Sequence, residues 1–294
     1  MTVSAILKRL VYLLPALVVI GCHSAETKPA VRSYAAAGEV EAISPDRHLV
    51  TIHHQPIAGY MPEMTMQFTV RDERLMDGLV RGDQVDFTLD VTSDDAWVAD
   101  LRRTGHVDLP PVDTAATAVP PGLRPGDPLP DGAFLAEDGR TVHLSDFRGK
   151  VVIFTFFFTR CPLPNYCPLM NRNFAETRKL LTADPAAPQN WQFLSISFDP
   201  DFDTPQTLAG YADNYRQHNA DRWLFVAAPP DTLGRFAAPL GLIVMRQGNG
   251  ITHNLRTVVV DPQGRLYRQF NDNLWTAAQL AQAVKDAARG APGA

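Results

Sequence analysis

The chain has 294 residues, 45% of them apolar and 20% charged, a composition that suits a soluble globular protein with material for two domains of ordinary size. A formal charge of −5 and the lack of any basic tract leave no electrostatic basis for a nucleic-acid partner. Three cysteines are too few for a disulfide framework in a chain this long, and there is no glycine-rich phosphate loop or haem-attachment motif.

In chain order, Lys8 and Arg9 precede an apolar run that ends in "VVIGC". The run is too short for a membrane span and suits a secretory signal over residues 1–21. "VVIGC" resembles a bacterial lipobox, which implies cleavage before Cys22 and lipid attachment to its sulfur. Residues 22–35 are mostly polar or small and read as a tether. Over residues 36–105, the segments "GEVEAI", "HLVTIHH", "MTMQFTV", "DQVDFTLDV" and "AWVADLRRTG" alternate apolar and polar residues between turn signals. That is the pattern of a small all-β, OB-like barrel. Residues 106–123 contain four prolines and predict a semi-rigid spacer. From 124 to 290, strand and helix patterns alternate, beginning with "KVVIFTFFF", a continuous apolar run suited to a strand buried on both faces. With a terminal hairpin turning at "DPQG", this predicts an α/β thioredoxin-like domain.

Two stretches concentrate soft donors. In "FTRCPLPNYCPLM", Cys161 leaves the buried strand and Cys167 precedes a helix that opens with Pro168. A thiol at a helix N-terminus gains thiolate character, which serves both metal binding and redox chemistry. As a redox pair these residues would form a Cys161–Cys167 disulfide. Alternatively they are half of a metal site that a distant histidine, His253 in "GITHNL", completes. Asp199 and Asp203 in "FDPDFDTP" lie on the way, with Asp203 or Thr204 as the expected cap of the helix that follows. The second stretch, "HHQPIAGYMPEMTMQFTV", places Met61, Met64 and Met66 within six positions. Met64 and Met66 share a strand face, and thioethers with an imidazole select monovalent soft metals. Methionine as plain core filler is the competing reading, and His53 alternates to the other face.

The strings around Cys161, Cys167 and His253, with "SISFDPDFDTP", resemble the SCO/SenC family of copper-binding thioredoxin-like proteins over about residues 124–290. The resemblance implies Cys161, Cys167 and His253 as ligands of Cu(I) or Cu(II), although five residues separate the cysteines here, more than the family usually has. It also implies delivery of copper to the dinuclear copper centre of a respiratory cytochrome c oxidase. The methionine stretch resembles the CusF-like periplasmic copper-binding domain over about residues 36–104. That resemblance implies His54, Met64 and Met66 as ligands, with Met61, which stands where the family has a tryptophan, as a further donor. Together they imply a membrane-anchored periplasmic copper metallochaperone. The alternatives are a thiol–disulfide reductase acting on oxidase cysteines and a copper-resistance or sensing protein.

Overall fold

The computed structural model describes residues 29–110, 122–216, 220–247, 250–290 and 293. The signal segment, the lipobox with Cys22, the first part of the tether and residues 111–121 of the spacer lie outside the described residues. Among the described residues no helix is long and apolar enough to cross a membrane.

The N-terminal unit is five antiparallel strands, β1 (Arg32–Ile43), β2 (Leu49–His54), β3 (Met64–Thr69), β4 (Asp83–Val91) and β5 (Ala96–His106), ordered β3-β2-β1-β4-β5. A parallel bridge between Val70 and Val98 brings the two outer strands together and curls the sheet into a barrel. β1 starts at Arg32, inside the stretch read as tether, because alternation extends upstream of Gly38 and pairs residues 32–39 with β4. The strands β2 and β3 bury alternate residues, as period-two patterning requires. Their register sets His54 opposite Met64 and Ile52 opposite Met66, so the histidine and both methionines face the interior with Val50, Phe68 and Phe87. Gly38 sits opposite His54. A Cβ there would lie 2.6 Å from the His53 carbonyl oxygen and 2.9 Å from His54 Cα, so glycine is what lets β1 approach β2 at the histidine.

The C-terminal unit is a seven-stranded mixed sheet ordered β14-β13-β8-β9-β10-β6-β7. Its centre is β8 (Val151–Phe157), β9 (Trp191–Ser197) and β10 (Trp223–Ala227), mutually parallel. Antiparallel strands flank them: β6 (Ala133–Ala136) with β7 (Thr141–His143) on one side, β13 (Thr257–Val260) with β14 (Leu266–Phe270) on the other. All seven residues of β8 are buried because both faces are covered. Phe154 and Phe156 meet Phe236 of α3 (Pro230–Ala237), whereas Phe157 meets Tyr211 of α2 (Pro205–Arg216). On that second side α1 (Cys167–Ala183) packs against α4 (Ala277–Ala288). A separate hairpin, β11 (Val244–Gln247) and β12 (Gly250–His253), projects towards the barrel and ends on His253.

Of the two caps expected for α2, Thr204 takes the role, its hydroxyl accepting from the Thr207 N–H at 3.3 Å. Asp203 is fully buried and turns inward, accepting from the Thr159 N–H at 3.1 Å and from the hydroxyls of Thr159 and Ser197.

Candidate metal centres

The first centre forms where β8 gives way to α1. Cys161 lies in the connecting loop, and Cys167 is the first residue of α1, with Pro168 following where a missing N–H costs no helical bond. His253 arrives from the end of β12. The two sulfurs and one imidazole nitrogen fall within 4.8 Å of one another, with 3.7 Å between Cys167 Sγ and His253 Nε2. His253 Nδ1 lies 2.9 Å from the carbonyl of Asn254, which holds a proton at Nδ1 and turns Nε2 towards the sulfurs. Phe158, Phe198 and Tyr166 surround the ring, with centroids 5.7, 4.8 and 6.3 Å away.

Both cysteines are free thiols here, so the disulfide considered from the sequence is not formed in this structure. They are unequal. Cys167 is fully buried and Cys161 half-buried. Burial works against a Cys161 thiolate, but hydrogen bonds from Cys167 and His253, the histidine's charge and the Cys167 backbone N–H bring its pKa down to about 5. Burial pushes Cys167 up, and the charge on Cys161 pushes it further. The sequence placed the activated thiol at Cys167, on the helix N-terminus. Instead, the thiolate lies at Cys161, because burial and the charge on Cys161 outweigh the backbone N–H groups that favour a Cys167 thiolate.

Two carboxylates brace the loop, and sequence reasoning assigned neither of them this role. Asp199, 2% exposed, accepts from Arg160 at 2.6 Å and from Arg246 at 3.0 Å. Arg160 adjoins Cys161, and Arg246 belongs to the hairpin that carries His253, where it also donates to the Phe198 carbonyl at 2.6 Å. Asp203 holds Thr159 from below, and burial raises its pKa. The sequence signal for the pair was an acidic stretch that resembles a SCO/SenC segment.

The second centre lies in the barrel. His54, Met64 and Met66 share one face through the β2–β3 register, and all are buried. Met61 is buried too, at the end of a tight turn in which Ile57 and Met61 pair their backbones. His54 Nδ1 lies 2.7 Å from the Gln55 carbonyl, while its Nε2 is buried without any hydrogen-bond partner. Burial lowers the His54 pKa, which keeps the ring neutral. A neutral imidazole with an unpartnered lone pair, beside thioethers, is the donor set of a soft monovalent cation. His53 points the other way, 3.0 Å from Thr65 Oγ1 and 3.2 Å from Glu63, which leaves its ring no free donor position.

Comparisons with known proteins agree with this division. The family model described as SCO1/SenC matches residues 131–289, and that described as copper binding periplasmic protein CusF matches residues 33–103. A SCO1 protein homolog of Bacillus subtilis is 27% identical over 142 residues, 47% of this chain and 70% of the relative. Cation efflux system protein CusF of Escherichia coli O157:H7 is 43% identical over 63 residues, 21% of this chain and 56% of the relative. The crystal structure of a SCO1/SenC family lipoprotein from Bacillus anthracis superposes with a TM-score of 0.50 at 24% identity, covering 57% of this chain and 99% of that one. With its thiol pair and histidine converging at the end of the central strand, this chain belongs to the SCO1/SenC family and carries a CusF-like copper-binding domain ahead of the thioredoxin-like one.

Proposed function

We propose that the protein is a periplasmic copper metallochaperone, lipid-anchored through Cys22, that takes up Cu(I) at His54, Met64 and Met66 and passes it to Cys161, Cys167 and His253. Delivery to the dinuclear copper centre of cytochrome c oxidase follows from the SCO/SenC resemblance, as does the oxidase subunit as partner. The observation that carries the reading is common to both centres. Each histidine is tied at Nδ1 to the carbonyl of the next residue; His253 Nε2 faces the Cys167 sulfur, and His54 Nε2 is buried without a partner on the barrel face that carries Met64 and Met66. Two thiolates with an imidazole suit either copper oxidation state, whereas thioethers with an imidazole select Cu(I). Copper is cargo here, and the residues supply a graded series of soft donors. Anaerobic titration of the reduced mature protein tests the assignment. Two coppers per chain are expected, falling to one in Cys161→Ala/Cys167→Ala and to one in Met64→Ala/Met66→Ala. Fewer than two in the unaltered protein contradicts it.

A thiol–disulfide reductase is the second reading, favoured by the low pKa of Cys161 beside a protonated Cys167. The Cys161 thiolate would attack a partner disulfide, and Cys167 would resolve the mixed disulfide, leaving a Cys161–Cys167 bond and a reduced partner. Insulin reduction that survives His253→Ala supports this reading, because only metal binding needs the imidazole as a ligand.

A further inference from the structure

The barrel and the α/β domain meet along β3, an edge strand whose outward carbonyls would otherwise have no partner within the sheet. Side chains of the α/β domain satisfy them. Thr252 donates to the Thr65 carbonyl, and Tyr166 donates to that of Gln67 at 2.9 Å. Asn165 reaches Thr69 Oγ1 at 3.3 Å and the Ala96 carbonyl at 2.9 Å. In the reverse direction Tyr60, stacked on Tyr34 at 4.5 Å, donates to the Pro162 carbonyl at 2.8 Å. Three of the residues between the two cysteines, Leu163, Asn165 and Tyr166, are 1%, 4% and 3% exposed. Such burial is unusual for a surface loop and marks this one as a packed element.

Two of these bonds fall in telling positions. Thr65 lies between Met64 and Met66, and Thr252 precedes His253. Tyr60 precedes Met61, and Pro162 follows Cys161. At both places one hydrogen bond joins the immediate chain neighbours of candidate donors from the two centres. With one residue step on either side of such a bond, the two donor sets stand on the order of 10 Å apart.

We propose that the Cys161–Cys167 loop and the β12 end dock the barrel onto the thiol centre, so that copper crosses between the centres within one closed seam and is not released to solvent on the way. This rests on the copper-chaperone reading above. The docking residues Tyr60, Tyr166 and Thr252 act by positioning, and none of them is a metal donor.

The test uses the mature chain with Cys161 and Cys167 oxidised and one equivalent of Cu(I) in the barrel. The thiols are then reduced in the presence of bathocuproine disulfonate as a coloured Cu(I) trap, and copper–thiolate absorption reports arrival. The unaltered protein should lose little copper to the trap, and Tyr60→Phe/Tyr166→Phe/Thr252→Val should lose at least about tenfold more, the equivalent of roughly 1.4 kcal/mol. Solution scattering of the copper-free proteins gives an independent reading, with a larger radius of gyration expected for the variant. Equal trapping and equal radii overturn the proposal. If the unaltered protein moves no copper even without the trap, the relay itself fails. Scattering then decides docking alone, an expanded variant upholding it and an unchanged one refuting it.

Discussion

At the scale of single residues, the candidate donors stand out because each has a chemistry that few other side chains share. Cys161, Cys167, Met64 and Met66 stand out by type and spacing, whereas His54 was singled out through the CusF-like resemblance. Their electrostatics could not be read in this way, because these depend on which sulfur is covered and on the histidine that folding brings beside them. The asymmetry has a measurable outcome. In the reduced, metal-free protein, iodoacetamide should alkylate Cys161 with a rate that rises as pH passes up through about 5 and falls away below it. The thiolate exists above the folded-state pKa and is protonated as pH drops through it. Cys167, buried and pushed upward, should react far more slowly at neutral pH. In His253→Ala the Cys161 midpoint should move up towards the ordinary cysteine range, since a hydrogen bond and a charge that favour the thiolate are removed. Mass spectrometry of the labelled peptides across pH checks all three outcomes.

Elements bring these donors together, and here sequence reasoning was partly blind. The strands of the barrel and the central strand β8 follow from alternation and from apolar runs, so their existence was plain. The hairpin β11–β12 and the bracing of Asp199 were not, because Arg246 lies 47 positions from the carboxylate it meets and nothing local marks the pairing. Asp199→Asn weakens the ties to both the cysteine loop and the hairpin. It should loosen the thiol centre, lowering its copper affinity about tenfold and overall stability by about 1–3 kcal/mol, with barrel binding unchanged. Competition against a Cu(I) chelator and urea denaturation measure the two effects. The barrel has its own vulnerable point. Gly38→Ala forces a methyl group against the backbone at residues 53 and 54, so β1 and β2 must separate and His54 must turn. Silver(I) binding to the barrel should weaken in that variant while the absorption of the copper–thiolate centre persists.

For the whole molecule, the two-domain division was readable from the composition shift and the proline-rich stretch, and both units have the expected fold. Their contact was unreadable. It is made by side chains of loops and a strand edge, none of which carries a periodic signal, and the spacer suggested separate bodies. The seam predicts coupled unfolding. Asn165 is 4% exposed, with its amide nitrogen bonded into the barrel. Asn165→Ala should cost about 1–3 kcal/mol and split a single calorimetric transition into two, one for each domain.

Of the three candidate donor atoms in the thioredoxin-like domain, the sulfur of Cys167 is the one on a fully buried residue. If copper is handed on as proposed, an incoming acceptor would reach the ion from the half-buried side formed by Cys161 and His253. The buried sulfur would then be the last anchor to let go, so that handover would proceed by exchange of one ligand at a time and the ion would never be bare.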